Sequence, residues 1–106
     1  MVKKRPSKKL LTAKKIVATL AVNKSELRSY GVKRIGLFGS YLKGTAGRKS
    51  DIDFLVSFNK VSFDNYMDLK FFLEKIFGRK VDLVMVKALK PGMAYVKKEA
   101  LYVAGA

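Results

Sequence analysis

Phe38-Gly39-Ser40-Tyr41-Leu42-Lys43-Gly44-Thr45-Ala46-Gly47-Arg48-Lys49-Ser50-Asp51-Ile52-Asp53 organises this chain, because it joins a turn suited to an anion to a pair of carboxylates. Upstream of it, Ile35-Gly36-Leu37-Phe38 is a short apolar run ending at Gly39-Ser40, where a strand can turn into a helix start. Glycine lets the backbone approach a phosphate closely, and free N–H groups with the Ser40 hydroxyl favour negative charge. Ten residues separate Ser40 from Asp51.

Asp51 and Asp53 head the run Asp51 to Phe58, in which Ile52, Phe54, Val56 and Phe58 form one apolar face of a strand. Both carboxylates then point to the other face, about 7 Å apart. Two such anions repel, and a divalent cation relieves the repulsion more fully than one lysine. Hard Mg²⁺, which takes oxygen ligands, suits them best.

Outward from this stretch the elements follow in order. Leu10, Ala13, Ile16, Val17 and Leu20 recur at helical spacing, predicting a helix over 10–20. Asn23 with Glu26 reads as a capping box for a second helix, which Gly31 ends in a left-handed cap. Val32 to Phe38 is the first strand and Tyr41 to Lys43 a helical turn. The loop 44–50, with two glycines and two cations, suits a segment that closes over phosphates. Asp64 is expected to cap a helix bearing Met67, Leu69, Phe72, Leu73 and Ile76, stopped by Gly78. Lys80 to Val86 reads as a strand buried on both faces, with Asp82 its only acid. Pro91 opens a last helix along which Met93, Val96, Ala100 and Val103 share one side.

The positions of the polar residues also dictate topology. Ser40 follows the first strand and Asp51 begins the second, so one site requires these strands to be antiparallel. Asp82 begins the third strand and reaches that site only if strands two and three are parallel, joined by a right-handed crossover through the helix at 64–77. The expected fold is a small mixed sheet flanked by helices, in the α/β (α+β) class.

The chain has 106 residues, enough for one domain, here expected to be 10–106 behind a basic flexible arm at 1–9. Its 49% hydrophobic content excludes a disordered tail, and no apolar run reaches the roughly 20 residues of a membrane span. Cysteine and histidine are both absent, which removes disulfides, Cys/His zinc sites, thiol nucleophiles and histidine bases. Lys14 and Lys15 interrupt the only stretch resembling a signal peptide, so the expected location is cytoplasmic. The formal charge of +15 is uneven: residues 1–49 carry 14 Lys/Arg against Glu26 alone, and the remainder nine against seven acids. This excess suits contact with RNA, another polyanion or a triphosphate, or else a lysine-rich solvated surface.

A glycine-serine turn followed at this spacing by Asp-x-Asp, with a third Asp on a later strand, resembles the core motif of the DNA polymerase β-like nucleotidyltransferases. From about Ser25 to Val103 the chain is similar to the minimal nucleotidyltransferase (MNT) family, the antitoxin half of HEPN/MNT toxin–antitoxin pairs. The resemblance implies the minimal nucleotidyltransferase fold, with Asp51, Asp53 and Asp82 as catalytic residues holding two Mg²⁺ ions. It also implies ATP as substrate, Gly39 and Ser40 around the β- and γ-phosphates, and a HEPN-type toxin partner with an acceptor tyrosine. Lys43, Arg48 and Lys49 are candidate triphosphate contacts. Many relatives carry Arg at the positions of Tyr41 and Lys43, and Lys cannot form Arg's bidentate phosphate fork. Asp82 could instead pair with Lys80 or Arg79. Two rival readings are a catalytically inactive protein- or RNA-binding antitoxin and a small-molecule nucleotidyltransferase.

Overall fold

A computed structural model of the chain describes residues 11–47 and 49–103; residues 1–9, expected to be a basic flexible arm, together with Leu10, Arg48 and 104–106, lie outside the described residues. The elements are α1 (Ala13–Val22), α2 (Lys24–Ser29), β1 (Val32–Phe38), α3 (Ser40–Lys43), β2 (Ile52–Phe58), α4 (Phe63–Phe77), β3 (Val81–Met85), α5 (Val96–Glu99) and β4 (Leu101–Tyr102). They build a four-stranded mixed sheet in the order β3-β2-β1-β4. β1 runs antiparallel to β2 and to β4, and β2 parallel to β3, as one shared site demanded. No helix among the described residues is long and apolar enough to cross a membrane.

Helices α1, α2 and α4 supply Ile16, Leu20, Leu27, Leu69 and Leu73 to a core against Ile35, Leu37, Ile52, Phe54, Val56 and Leu83. The other sheet face buries Leu55 under Val96 and Ala100. Leu73 is fully buried, so Leu73→Ala should cost about 2–5 kcal/mol in denaturant unfolding. A cost well below that range would remove Leu73 from the core.

Burial on both faces belongs to the middle of β2, not to β3. β3 is an edge strand with Asp82 exposed and Val84 and Met85 half-buried. Side chains of α4 meet its outward peptide groups: the Tyr66 hydroxyl donates to Leu83 O, Lys70 Nζ donates to Val81 O at 2.7 Å, and Glu74 accepts from Val81 N at 3.0 Å. An edge so covered is a poor template for further strands.

Two expected caps differ. Asn23 does not form a capping box, because α1 runs almost directly into α2 and leaves Asn23 without the extended backbone of an N-cap; its Nδ2 donates back to Thr19 O. Ser62, not Asp64, caps α4: Ser62 is extended and its hydroxyl accepts from Asn65 N, while Asp64 lies in the first turn. Gly31 and Gly78 both adopt the expected left-handed conformation.

The expected last helix breaks into a 3₁₀ turn at Pro91–Met93, the short α5 and the strand β4. Its apparent stripe mixes two faces of the sheet, since Val96 and Ala100 pack on Leu55 whereas Val103 joins the main core. Pairing with the free side of β1 satisfies peptide groups that a continued helix would leave open. Gly36 makes room for this strand, as a Cβ there would lie 2.8 Å from the Tyr102 ring.

Candidate active site

Strand register brings the acids together. Phe38 of β1 sits opposite Asp53 of β2, and Asp53 opposite Asp82 of β3. The Gly39-Ser40 turn leaves β1 at that same level, and Asp51 lies two residues before Asp53. Residues distant in sequence thus meet at one end of the sheet because one strand, β1, ends there and two, β2 and β3, begin.

Gly39 is required by two independent features. Its φ of 77° with ψ of −152° is a conformation that L side chains avoid. A Cβ would also lie 2.9 Å from Asp53 Cγ and closer still to its carboxylate oxygen. The turn and the carboxylate therefore pack against each other, with Ser40 opening α3 beside them. Lys43 N donates to Gly39 O at 3.1 Å and Thr45 N to Ser40 O at 3.0 Å, which closes the turn.

Asp53 is half-buried, Asp51 and Asp82 exposed. Burial, then the neighbouring Asp82 and Asp51, pushes the Asp53 carboxyl from its ordinary 3.8 up to about 6. Three acids thus share a field that a cation would relieve. Among the described residues no group of three His, Cys, Asp or Glu side chains is already arranged as a metal cage. The donor set, carboxylates alone, fits Mg²⁺, which keeps some ligands from water and phosphate.

Asp82 makes no ion pair among the described residues, so it is not tied to Lys80 or Arg79. Arg79 instead donates its Nε to the Tyr41 hydroxyl at 2.9 Å, a contact the sequence did not suggest. Its one available signal was position, three residues before Asp82. Lys43 and Lys49 are exposed, and Lys49 lines a cleft of about 200 Å³ with Ser50, Asp51, Gly78, Arg79 and Lys80. The Ser50 hydroxyl accepts from Gly47 N at 2.8 Å and closes the end of the loop there. A larger hollow of about 320 Å³, at the far end of β2 beside Lys33, Phe58 and Met85, contains no carboxylate.

Residues 20–102 match the Nucleotidyltransferase domain family. The chain belongs to that family. The nucleotidyltransferase domain is 43% identical over 97 residues to the protein adenylyltransferase MntA of Thermococcus cleftensis, covering 89% of this chain and 98% of the relative. Its structure is similar to that of a candidate minimal nucleotidyltransferase (TM-score 0.74, 30% identity, 86% of this chain and 95% of the other). It is also similar to a chain of a toxin–antitoxin crystal structure with AMP-PNP (TM-score 0.64, 25% identity, 81% and 73%). The four-stranded mixed sheet with flanking helices is the minimal nucleotidyltransferase fold.

Proposed function

We propose that this nucleotidyltransferase transfers AMP from ATP, with Mg²⁺, to a tyrosine hydroxyl of a HEPN-type ribonuclease toxin and so acts as its antitoxin. The observation that carries this reading is the meeting of Asp51, Asp53 and Asp82 with the Gly39-Ser40 turn at one sheet end. The relative named protein adenylyltransferase, matched over 98% of its length, supports protein as the acceptor class.

Asp51, Asp53 and Asp82 would hold the metal; bound there, Mg²⁺ neutralises phosphate charge and stabilises the attacking and leaving oxygens. The Gly39-Ser40 turn contacts the β- and γ-phosphates, and Lys43, Arg48 and Lys49 add positive charge around them. The acceptor oxygen attacks the α-phosphorus, the bond to the β-phosphate oxygen breaks, and pyrophosphate leaves with that electron pair. The hydroxyl proton departs at the open side of the site, where Asp82 is exposed. Positioning accounts for much of the rate in such transfers. This domain has its elements committed to the sheet and the acids, so the partner must position its own tyrosine. The adduct adds a bulky, negatively charged phosphate group that repels RNA from the toxin. ATP and Mg²⁺ place this chemistry in the cytoplasm.

A pyrophosphate-release assay with ATP and Mg²⁺, run with and without the toxin partner, tests this reading. Release should need the partner and cease with EDTA. No release in the partner's presence would favour an inactive binding antitoxin, and release driven by small hydroxyl compounds alone would favour the small-molecule class.

A further inference from the structure

The mechanism above leaves Arg79 unused. Arg79 follows Gly78, whose left-handed backbone ends α4 and turns the chain toward β3. Lys80 O then accepts from Ile52 N at 3.0 Å, which fixes this junction against the residue between Asp51 and Asp53. Tyr41, only 6% exposed, follows Ser40 directly, and its hydroxyl takes the Arg79 Nε–H at 2.9 Å. A guanidinium has five N–H donors in a planar fork, so its two terminal NH₂ groups remain for another acceptor. Among the described residues no carboxylate pairs with Arg79.

The cleft that Arg79 lines beside Lys49, Asp51 and Lys80 holds three cations against one acid. With about 200 Å³ of space and a side open to solvent, the cleft has room for one or two phosphate groups. We propose that Arg79, oriented by the Tyr41 hydroxyl, binds the terminal phosphates of the nucleotide and the pyrophosphate that departs. The assignment rests on the AMP-transfer reading and names a leaving-group ligand within it. Arg79 acts directly on the phosphates, and Tyr41 is a positioning residue.

Calorimetric titration with inorganic pyrophosphate and, separately, AMP, both in Mg²⁺, tests the assignment in Arg79→Lys, Arg79→Ala and Tyr41→Phe. Lys keeps the charge without the fork, and Phe keeps the buried ring without the hydroxyl, so at least these two should remain folded. Both Arg79 variants should bind pyrophosphate about tenfold to a hundredfold more weakly, as for a lost hydrogen bond to a charged group, while AMP affinity holds. Tyr41→Phe should show a smaller loss in the same direction. Undiminished pyrophosphate affinity in Arg79→Ala, or an equal loss for AMP, overturns the assignment. Pyrophosphate release by the wild type is scored separately. Its absence with the partner overturns both readings, whereas an active wild type beside undiminished pyrophosphate binding in Arg79→Ala overturns this one alone.

Discussion

Asp53→Asn should fold normally and release pyrophosphate from ATP at least about a thousandfold more slowly, the rate equivalent of the several kcal/mol a metal supplies to transition-state charge. Asp53 is the central acid, opposite Asp82 in register and two residues from Asp51, and Asn removes its charge while keeping its volume. The same site dictates a pH response. Burial and the two neighbouring carboxylates raise the folded-state carboxyl of Asp53 from 3.8 to about 6. The folded chain therefore holds this proton more tightly than the unfolded chain. In metal-free buffer the resulting stability is fully present below about pH 4 and is lost as pH rises through about 6. Asp53→Asn should abolish that segment of the pH–stability curve and melt higher than the metal-free wild type at pH 7. Mg²⁺ competes with the proton, so its stabilising effect should fade as pH drops below about 6. Undiminished turnover in Asp53→Asn, or a flat pH–stability difference between the two proteins, would contradict this account of the acid cluster.

Gly39→Ala should be damaging twice over. The backbone at Gly39 lies where a Cβ costs about 1–3 kcal/mol, and that Cβ would also press on the Asp53 carboxylate. Thermal unfolding should fall by about 4–8 °C for each kcal/mol lost. Activity should fall further than stability, because relief of the clash displaces either Ser40 or Asp53. Gly92→Ala is the control: nothing lies within 4 Å of its added Cβ and its φ is not positive. It should change neither quantity appreciably. A Gly39→Ala protein with wild-type melting and turnover would show that the turn does not depend on glycine.

Much of the site was legible because its geometry follows from alternation and chain direction. Ile52, Phe54 and Val56 share the core face, so Asp53 had to face the other way, and a common site for Ser40, Asp51 and Asp82 allowed only one set of strand directions. What escaped reading depends on contacts between distant segments. Met93, Val96, Ala100 and Val103 have helical spacing, yet Val103 is drawn across to the main core by an N–H donated to Ile35 O on β1. The apolar sequence of β3 suggested burial on both faces, but among the described residues no strand lies beyond it, and α4 meets its outer peptide groups instead. Tyr41 stood out only as a departure from the arginine of many relatives. Its burial and its hold on Arg79 required the fold.

The central claim is AMP transfer to a protein hydroxyl, and intact-mass spectrometry of a co-expressed HEPN-type partner tests it most directly. The account predicts an AMP-sized mass increase on a partner tyrosine with the wild-type chain and none with Asp51→Asn or Asp53→Asn. A partner that stays unmodified, yet is silenced equally well by the wild type and by Asp51→Asn, would contradict it.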